Sequence, residues 1–208
     1  MGERTVRAYV GLGANVGDPA RTIAEAVVAL EAIPGAHVRR VSRLYATLPV
    51  GVTDQPEFRN AVVALDVPAG PDPATGALAL LRTLKDLERR FGRRKRARWG
   101  PRELDLDLLL FGRARIAVER GPNEVSIDAG RDADRATRLL EVPHRDIRDR
   151  LFVLAPLADL APRLVPPGWH ETVETARRRQ VTREAAGAAR PITDWDPAAS
   201  AWRPVQPR

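Results

Sequence analysis

The chain has 208 residues, of which 44% are hydrophobic, so it is long enough for one domain with a sizeable core. The lack of cysteine excludes a disulfide framework and a thiolate metal site, and no apolar run approaches the roughly 20 residues of a membrane helix. The net charge of +7 comes almost entirely from arginine, since lysine occurs only at positions 85 and 95, and without a signal-like N-terminus we expect a cytoplasmic protein with no membrane partner.

Strand and helix signals alternate through most of the chain. Strands are predicted over residues 6–12, 38–45, 60–67, 104–111 and 139–142. The first strand is expected to stop at the glycine-containing residues 11–15. Helices are predicted after Asp18-Pro19 and Asp72-Pro73, because an aspartate followed by proline is a frequent helix start. Apolar residues at helical spacing between residues 80 and 91 indicate the buried face of the second helix.

The order of these elements resembles two split βαβ halves. It predicts an α+β, ferredoxin-like sandwich with helices on one face of a mainly antiparallel sheet. We expect residues 1–167 to form this domain, with an irregular insertion at about 113–138 and a short helix after Pro143-His144. Residues 168–208 are predicted to be a largely irregular C-terminal extension with one helix near residues 171–185.

Two aspartates, Asp105 and Asp107, lie two residues apart in a predicted strand, so their carboxylates should project from the same face. Neighbouring carboxylates repel one another and are costly to bury unless a cation neutralises them. Mg²⁺ suits such a pair because it takes one or two carboxylates and completes its shell with water and phosphate oxygens. The alternative is an edge strand whose acids face solvent.

A strongly basic segment precedes this pair. From Arg89 to Arg102, eight of fourteen residues are arginine or lysine and none is acidic, while Gly92, Gly100 and Pro101 predict a loop. Phosphoryl transfer requires cations on the phosphate oxygens together with Mg²⁺, and the arginine fork holds two such oxygens at once. The sequence therefore predicts transfer of a phosphate-containing group from a Mg²⁺-bound nucleotide. The alternative is a solvated basic loop or a nucleic-acid surface.

Two further features allow more than one interpretation. His144 follows a predicted strand and a proline turn, where it could bind a phosphate or cap the short helix after it. Residues 11–17 resemble a phosphate-binding loop only loosely, because the Gly-Lys-Ser/Thr ending is missing. A plain turn is the preferred interpretation there.

Residues 98–109, Arg-Trp-Gly-Pro-Arg-Glu-Leu-Asp-Leu-Asp-Leu-Leu, resemble throughout the signature of the 6-hydroxymethyl-7,8-dihydropterin pyrophosphokinases, a family of folate biosynthesis. Tyr-Val-Gly-Leu-Gly-Ala-Asn at 9–15, Asp-Gln-Pro-Glu-Phe-Arg-Asn at 54–60 and Val-Pro-His-Arg-Asp at 142–146 agree in order and approximate spacing. The resemblance covers roughly residues 5–167. It implies transfer of the β,γ-pyrophosphate of ATP to the hydroxymethyl oxygen of the pterin, with release of AMP.

The resemblance also assigns residues to each substrate. Asp105 and Asp107 would hold two Mg²⁺ ions. On the ATP side, with Arg93, Arg98 and Arg102 as catalytic arginines, the implied residues are Glu88, Lys95, Arg98, Trp99, Arg102, Leu108, Arg138, His144 and Arg150. On the pterin side the implied residues are Thr47, Leu48, Val50, Phe58, Asn60 and Phe152. The two phenylalanines would stack on the flat heterocycle, and the amide of Asn60 would read its edge.

Some positions depart from the usual family pattern. Phe58 stands where tyrosine is frequent, Leu48 replaces a proline, and Arg145 follows the histidine where an aromatic residue occurs. The stretch 112–140 is longer than in compact members, so the assignment of Arg138 to the nucleotide depends on where the extra residues lie.

Two other hypotheses come from different classes. A nucleic-acid-binding module would use residues 89–102 with Trp99 stacking on a base, and it predicts salt-sensitive binding to single strands. It leaves the two aspartates unexplained. A degenerate scaffold would not need to keep Asp105, Asp107, Asn60 and His144 together. We therefore expect a monomeric enzyme that binds no nucleic acid and could associate with other folate-pathway enzymes.

Overall fold

The strands and helices are those of a computed structural model, which describes residues 4–49, 51, 53–93, 100–121 and 137–204. In chain order they are β1 (Thr5–Ala14), α1 (Pro19–Glu31), β2 (His37–Val41), β3 (Leu44–Thr47), β4 (Phe58–Pro68), α2 (Pro73–Arg90), β5 (Asp105–Phe111), β6 (Ile116–Glu119), β7 (Arg138–Val142), a 3-10 helix (Ile147–Asp149), α3 (Leu151–Leu160), α4 (Val173–Val181), β8 (Ala189–Asp196) and β9 (Ala201–Pro204). No described helix has the length and apolar character of a membrane span.

The two predicted helix starts are confirmed. The carboxylate of Asp18 accepts a hydrogen bond from the backbone N–H of Arg21 at 3.1 Å, at the start of α1. The carboxylate of Asp72 accepts hydrogen bonds from the N–H groups of Ala74 and Thr75 at 2.9 and 3.0 Å, at the start of α2. Each aspartate therefore satisfies backbone donors that a helix leaves without an internal partner.

Among the described residues, seven strands form one sheet in the order β5-β1-β4-β3-β8-β9, with β2 also paired to β4. The pairs described in this sheet are antiparallel. β1 lies between β4 and β5, so residues of these three strands stand in register across the sheet. β6 and β7 form a separate antiparallel hairpin.

Helices cover both faces of the sheet. On one face, Leu12, Val63 and Leu106 belong to a core shared with α1 and α2. On the other face, Val62 and Leu110 belong to a core shared with α3 and α4. Successive residues of a strand point to opposite faces, so neighbours such as 62 and 63 enter different cores. The predicted α+β class with a mainly antiparallel sheet is confirmed, but the expectation of helices on one face only is wrong.

β1 runs further than the sequence predicts. It continues through Gly11 and Gly13 to Ala14, because both glycines pair with β4 on one side and with β5 on the other. The plain turn expected over residues 11–17 is therefore wrong for its first four residues. A left-handed backbone, with a φ of 67°, occurs instead at Gly17, directly before the cap of α1.

The single strand predicted over residues 38–45 is two strands, β2 and β3, which pair with different parts of β4. The interruption falls at Ser42. Its backbone N–H donates to the carbonyl oxygen of Val62 at 3.0 Å, and its hydroxyl accepts from the N–H of Val62 at 2.9 Å. A side chain thus replaces one hydrogen bond of the strand ladder, and the chain continues on a shifted path.

The C-terminal residues contain more regular structure than the sequence predicts. The helix expected near residues 171–185 is present as α4, but the remainder is not irregular, because β8 and β9 form a hairpin that extends the main sheet beside β3. Trp195 and Trp202 lie opposite each other with ring centroids 4.6 Å apart. Residues 189–204 therefore contribute two strands to the main sheet, and α4 packs in the core that it shares with α3, so the prediction of a largely irregular extension is wrong for these elements. The hairpin was missed because most of its residues are exposed or half-buried, which weakens the alternation that marks a strand.

The predicted insertion is also corrected in part. Ile116–Glu119 is a strand, β6. Its Ile116 stands opposite Val142 of β7, and both side chains are buried in the core shared with α1 and α2. The expectation of an irregular segment from 113 to 138 is therefore wrong at this strand. Residues 122–136 of the insertion lie outside the described residues.

Candidate functional site

The two aspartates lie at the start of β5, on the face of the sheet that α3 and α4 cover. Asp105 and Asp107 alternate with Leu106 and Leu108, which are buried in the opposite core. Both carboxylates therefore share one face, as the spacing predicts. The Asp107 side chain is 46% exposed and that of Asp105 21%, so Asp107 is the more open to a ligand.

The same alternation corrects one expectation. Leu108 was assigned to ATP, yet its side chain is 2% exposed and lies in the core shared with α1 and α2. A residue next to Asp107 in a strand points away from the face that carries the carboxylates. The side chain of Leu108 therefore cannot contact a nucleotide on that face.

Strand register places Asn60 on the same face as the aspartates. Gly13 of β1 stands opposite Asp105 of β5 on one side and opposite Asn60 of β4 on the other. Residues directly opposite each other in antiparallel strands project to the same side of the sheet. Since neighbouring strands are about 4.8 Å apart, the backbones of Asp105 and Asn60 are separated by roughly 10 Å.

Gly13 leaves space for the side chain of Asn60. A Cβ atom at position 13 would lie 2.8 Å from Oδ1 of Asn60. On its other side, Nδ2 of Asn60 donates to Oγ1 of Thr47 at 2.7 Å, and both side chains are buried. The amide is thus oriented, with its oxygen above Gly13 and its nitrogen toward Thr47.

Two phenylalanines border the same region. Phe58 begins β4 and stands opposite Thr47 of β3. Phe152 is the second residue of α3, and the preceding Leu151 packs against Tyr45, the neighbour of Asn60 in the register. Both phenylalanine side chains are half-buried.

Most residues that the resemblance assigns to the pterin therefore come together at one end of the sheet. The side chain of Leu48, directly after β3, is 47% exposed at the same end. Val50 lies outside the described residues, as do Lys95, Arg98 and Trp99 of the predicted ATP side.

A network of charges surrounds Asp105. One carboxylate oxygen lies 2.9 Å from Nη1 of Arg93, and the other is ion-paired with Arg102. Burial by itself would raise the pKa of Asp105, but the positive charges of Lys85, Arg102 and Arg93 outweigh burial and hold this pKa below its ordinary value. Arg93 and Arg102 thus face the carboxylate of Asp105, a contact that the nucleic-acid hypothesis leaves unexplained.

Glu88 of α2 supports this network from the interior. It is 2% exposed, and its Oε1 accepts hydrogen bonds from the ammonium of Lys85 and from the backbone N–H of Leu106, each at 2.7 Å. Its Oε2 is ion-paired with Arg93, and Nζ of Lys85 lies 4.0 Å from the carboxylate of Asp107. Burial raises the pKa of the Glu88 carboxyl. Since both of its oxygens are engaged, Glu88 orients cations and does not face a ligand.

Sequence reasoning assigned no role to Lys85 or Asn15. Oδ1 of Asn15 accepts from the N–H of Arg102 at 2.7 Å, and Nδ2 donates to the side chain of Gln55 at 3.0 Å, so Asn15 joins the approach to β5 to the loop before β4. A signal was present in both cases. Asn15 ends the glycine-containing motif of β1, and Lys85 lies three residues before Glu88, a spacing at which opposite charges meet on a helix.

His144 holds the turn that follows β7. Its backbone N–H donates to the carbonyl oxygen of Leu109 at 2.9 Å, and its Nδ1 accepts from the N–H of Asp146 at 3.3 Å. The short helix expected after Pro143-His144 is the 3-10 helix at residues 147–149, followed directly by α3. The contact of Nδ1 supports the structural role that the sequence left open, and binding of a phosphate through Nε2 stays a prediction.

The remaining residues assigned to ATP lie close to this turn. Arg138 and His144 line one cavity of about 520 Å³. Arg150 donates to the carboxylate of Asp146 at 2.8 Å, and its guanidinium carbon lies 5.7 Å from the centroid of the Phe152 ring. Arg150 thus stands between the turn and the start of α3.

Comparison with known proteins gives consistent results. The family described as 7,8-dihydro-6-hydroxymethylpterin-pyrophosphokinase matches residues 9–162. A protein of Methylorubrum extorquens named 2-amino-4-hydroxy-6-hydroxymethyldihydropteridine pyrophosphokinase is 41% identical over 170 residues, which cover 82% of this chain and 90% of that relative. The mitochondrial folate synthesis bifunctional protein of Pisum sativum is 36% identical over 151 residues, which cover 73% of this chain and 24% of that relative.

Among solved structures, Plasmodium falciparum HPPK-DHPS has a TM-score of 0.66 and 16% identity over 98% of this chain. The chain spans about half of that protein, 48% of its length, and at this identity the likeness concerns the fold. The sequence match over residues 9–162 is more specific, since it includes β1, β4, β5 and the start of α3, which together form the site. The chain belongs to the 7,8-dihydro-6-hydroxymethylpterin-pyrophosphokinase family.

Proposed function

We propose that the chain transfers the β,γ-pyrophosphate of ATP to the hydroxymethyl group of 6-hydroxymethyl-7,8-dihydropterin, in folate biosynthesis. The hydroxymethyl oxygen attacks the β-phosphorus, and the bond from that phosphorus to the oxygen bridging it to the α-phosphorus breaks. AMP leaves with the bridging oxygen, and the hydroxyl gives up its proton. The observation that carries this proposal is the register that sets Asp105 and Asn60 on either side of Gly13, on one face of the sheet.

Asp105 and Asp107 fit Mg²⁺ because they offer oxygen donors from one face of a strand, and the more open carboxylate is that of Asp107. The described residues contain no group of three or more His, Asp or Glu side chains placed to hold a metal. The other ligands would therefore be water and phosphate oxygens, which is the usual arrangement for this ion. We assign two ions to the pair. The chemistry supplied by the bound metal is neutralisation of charge on the phosphate oxygens.

On the ATP side, Arg93 and Arg102 donate to phosphate oxygens, and Arg98, Lys95 and Trp99 are assigned by resemblance to the same task. Arg93 and Arg102 already converge on Asp105, so little reorganisation is needed to present them to an anion. Glu88 acts indirectly, by orienting Arg93. The nucleoside end is assigned to the region of Arg138, His144 and Arg150.

On the pterin side, Phe58 and Phe152 stack on the two faces of the heterocycle, while Asn60 reads its edge. Thr47 orients the amide of Asn60, and Leu48 and Val50 border the slot. Positioning of the hydroxymethyl oxygen in line with the β-phosphorus supplies most of the catalysis, so no side chain needs to act as a strong base.

The small-molecule ligands follow from this chemistry. We propose a monomer located in the cytoplasm, with ATP and the pterin as its small-molecule ligands and without nucleic acid or membrane as partners. Association with other folate enzymes is proposed because the relative from Pisum sativum is named a bifunctional folate synthesis protein.

Release of AMP tests the proposed function. The purified chain, incubated with ATP, Mg²⁺ and 6-hydroxymethyl-7,8-dihydropterin, is expected to form AMP and pterin diphosphate in equal amounts. The 6-methyl analogue, which lacks the acceptor oxygen, serves as the control and should give no diphosphate. Absence of AMP with the hydroxymethyl substrate would overturn the proposal.

Gly13→Ala is expected to weaken use of the pterin selectively. The new Cβ would meet Oδ1 of Asn60 at 2.8 Å, so the amide must move away from the pterin edge. We expect the KM for the pterin to rise about tenfold, because small misplacements of a positioning group are costly. Steady-state kinetics with each substrate varied in turn would measure this change.

Gly11→Ala is the matched control, since its Cβ would lie 3.4 Å from the flexible side chain of Leu109, an ordinary contact. Its effect on the KM for the pterin should be smaller. Equal effects of the two substitutions would argue that Asn60 does not read the pterin.

A further inference from the structure

The C-terminal part of the chain contacts the start of α3, which carries Phe152. The residue before this helix, Arg150, provides no side-chain cap. Instead, Oε1 of Glu184 accepts a hydrogen bond from the backbone N–H of Leu151 at 2.9 Å. Nε2 of Gln180 donates to the same Glu184 oxygen at 2.8 Å and to the carbonyl oxygen of Asp149 at 2.9 Å. A distant carboxylate thus caps α3 next to Phe152, where a negative charge is favourable.

In the proposed pterin slot, Phe152 forms one wall and Phe58 the other. The same C-terminal part of the chain also contacts the wall that carries Phe58. Nη2 of Arg190 lies 3.0 Å from each carboxylate oxygen of Glu57, the residue before Phe58. Hydrogen bonding to Arg190 lowers the pKa of the Glu57 carboxyl. The carbonyl oxygen of Ala188 accepts from the N–H of Leu48 at 3.2 Å, and β8 begins opposite Thr47.

A small apolar cluster joins these two sets of contacts. Tyr45 of β3 and Leu151 and Ala155 of α3 are buried together, and Ala188 and Ala189 pack against them. Residues 180–190 therefore contact the start of α3 next to Phe152 through Gln180 and Glu184, and the strand ends next to Phe58 through Ala188, Ala189 and Arg190. We call residues 180–190 the C-terminal brace.

We propose that the C-terminal brace sets the separation of Phe58 and Phe152, with Glu184 and Arg190 as positioning residues for the pterin. The proposal rests on the proposed function, because it takes these two rings as the walls of the pterin slot. Stacking on both faces of a flat ring requires both walls at van der Waals distance at the same time. A shift of about 1 Å in either wall can cost on the order of a hundredfold in rate. The described contacts of the Glu184 carboxylate are to Leu151 and Gln180, and those of the Arg190 guanidinium are to Glu57.

Glu184→Ala provides the kinetic test. It removes the acceptor for the N–H of Leu151, and we expect the KM for the pterin to rise about tenfold, the effect of losing one charge-assisted hydrogen bond. The KM for ATP should rise less than that for the pterin, because Arg93 and Arg102, assigned to the phosphates, lie next to Asp105, and of the residues assigned to ATP only Arg150 adjoins Leu151. Glu184→Gln should restore most of the lost function, since its amide oxygen can still accept from Leu151. Arg190→Ala should act in the same direction through Glu57.

Matched controls come from the same part of the chain. Glu174 pairs with Arg177 and Arg178 within α4, and Arg203 lies 2.9 Å from Asp196 within the β8–β9 hairpin. Glu174→Ala therefore removes a carboxylate, and Arg203→Ala a guanidinium, whose described ion-pair partners lie within α4 and within the β8–β9 hairpin. Both variants should keep the wild-type KM for the pterin.

Hydrogen exchange gives a readout that does not depend on activity. The amide of Leu151 should exchange faster in Glu184→Ala than in wild type or Glu174→Ala, and Glu184→Gln should slow it again. If wild type releases AMP normally but Glu184→Ala matches Glu174→Ala in both the KM for the pterin and this exchange rate, the brace proposal alone is overturned. An equal rise of the KM for pterin and ATP would also overturn it. If wild type releases no AMP, the proposed function fails, and the brace proposal fails with it.

Discussion

Asp107→Ala is expected to abolish AMP formation while leaving the fold intact. Asp107 is the more open carboxylate of the pair, and its removal leaves a cation with the single carboxylate of Asp105, which Arg93 and Arg102 already engage. Loss of a charged group that organises the phosphates should lower kcat by at least about 10²–10³-fold. Rates of AMP release at saturating substrate would measure the loss.

The fold should survive because the Asp107 side chain is 46% exposed and its closest described cation is 4.0 Å away. Unfolding temperature and circular dichroism should therefore match those of wild type. Asp107→Asn, which keeps the size and removes the charge, should be as inactive as the alanine variant. Asp194→Ala, on an exposed position of β8, is the control and should retain full activity. Activity of Asp107→Ala within tenfold of wild type would contradict the metal assignment.

Glu88→Ala is expected to lower the free energy of unfolding by about 3–5 kcal/mol, the usual cost of removing one partner from a buried ionic network. The carboxylate serves two cations, Lys85 and Arg93, and the backbone N–H of Leu106. All three would lose a partner at once. Urea denaturation followed by tryptophan fluorescence would measure the change.

A second variant separates charge from hydrogen bonding. Glu88→Gln keeps an oxygen acceptor for Leu106 but not the negative charge, so its stability should fall between those of wild type and Glu88→Ala. Asp86→Ala on the same helix is the matched control, since the Asp86 side chain is 52% exposed and pairs only with a surface arginine among the described contacts. Its cost should stay below about 1 kcal/mol. If Glu88→Ala were no less stable than Asp86→Ala, the network would not support the site.

Much of the fold could be predicted from local patterns. Asp18 and Asp72 predict the starts of their helices, because a helix cap requires only a short side chain that bonds backbone N–H groups two or three residues later. The buried strands β1, β4 and β5 are apolar enough to be found without knowledge of their partners. The β8–β9 hairpin is different. Its stability comes from pairing with β3 and from the contact of Trp195 with Trp202, and neither leaves a periodic signal in the sequence.

The candidate site likewise combines features that local patterns predict with features that depend on contacts between distant residues. The shared face of Asp105 and Asp107 follows from strand periodicity, whereas the position of Asn60 across Gly13 depends on the register of three strands that are distant in sequence. Register is a property of the assembled sheet, so Asn60 and the other residues of the pterin side could be assigned to the site only by resemblance. Glu184 lies beyond the matched residues 9–162 and could not be assigned even in that way.

The position of Gly13 between Asp105 and Asn60 has a consequence for how the enzyme can vary. The distance between Asp105 on the ATP side and Asn60 on the pterin side is fixed by backbone hydrogen bonds between strands. Substitution of side chains therefore cannot change this distance gradually. This distance could change only by insertion or removal of a whole strand, a step of about 4.8 Å, and such a step would separate the ATP side from the pterin side. Use of a different acceptor substrate must therefore come from changes in the residues around the site, while the sheet beneath the site keeps its dimensions. Conformational changes during catalysis must likewise occur in segments attached to the sheet, since β1 is hydrogen-bonded to β4 on one side and to β5 on the other.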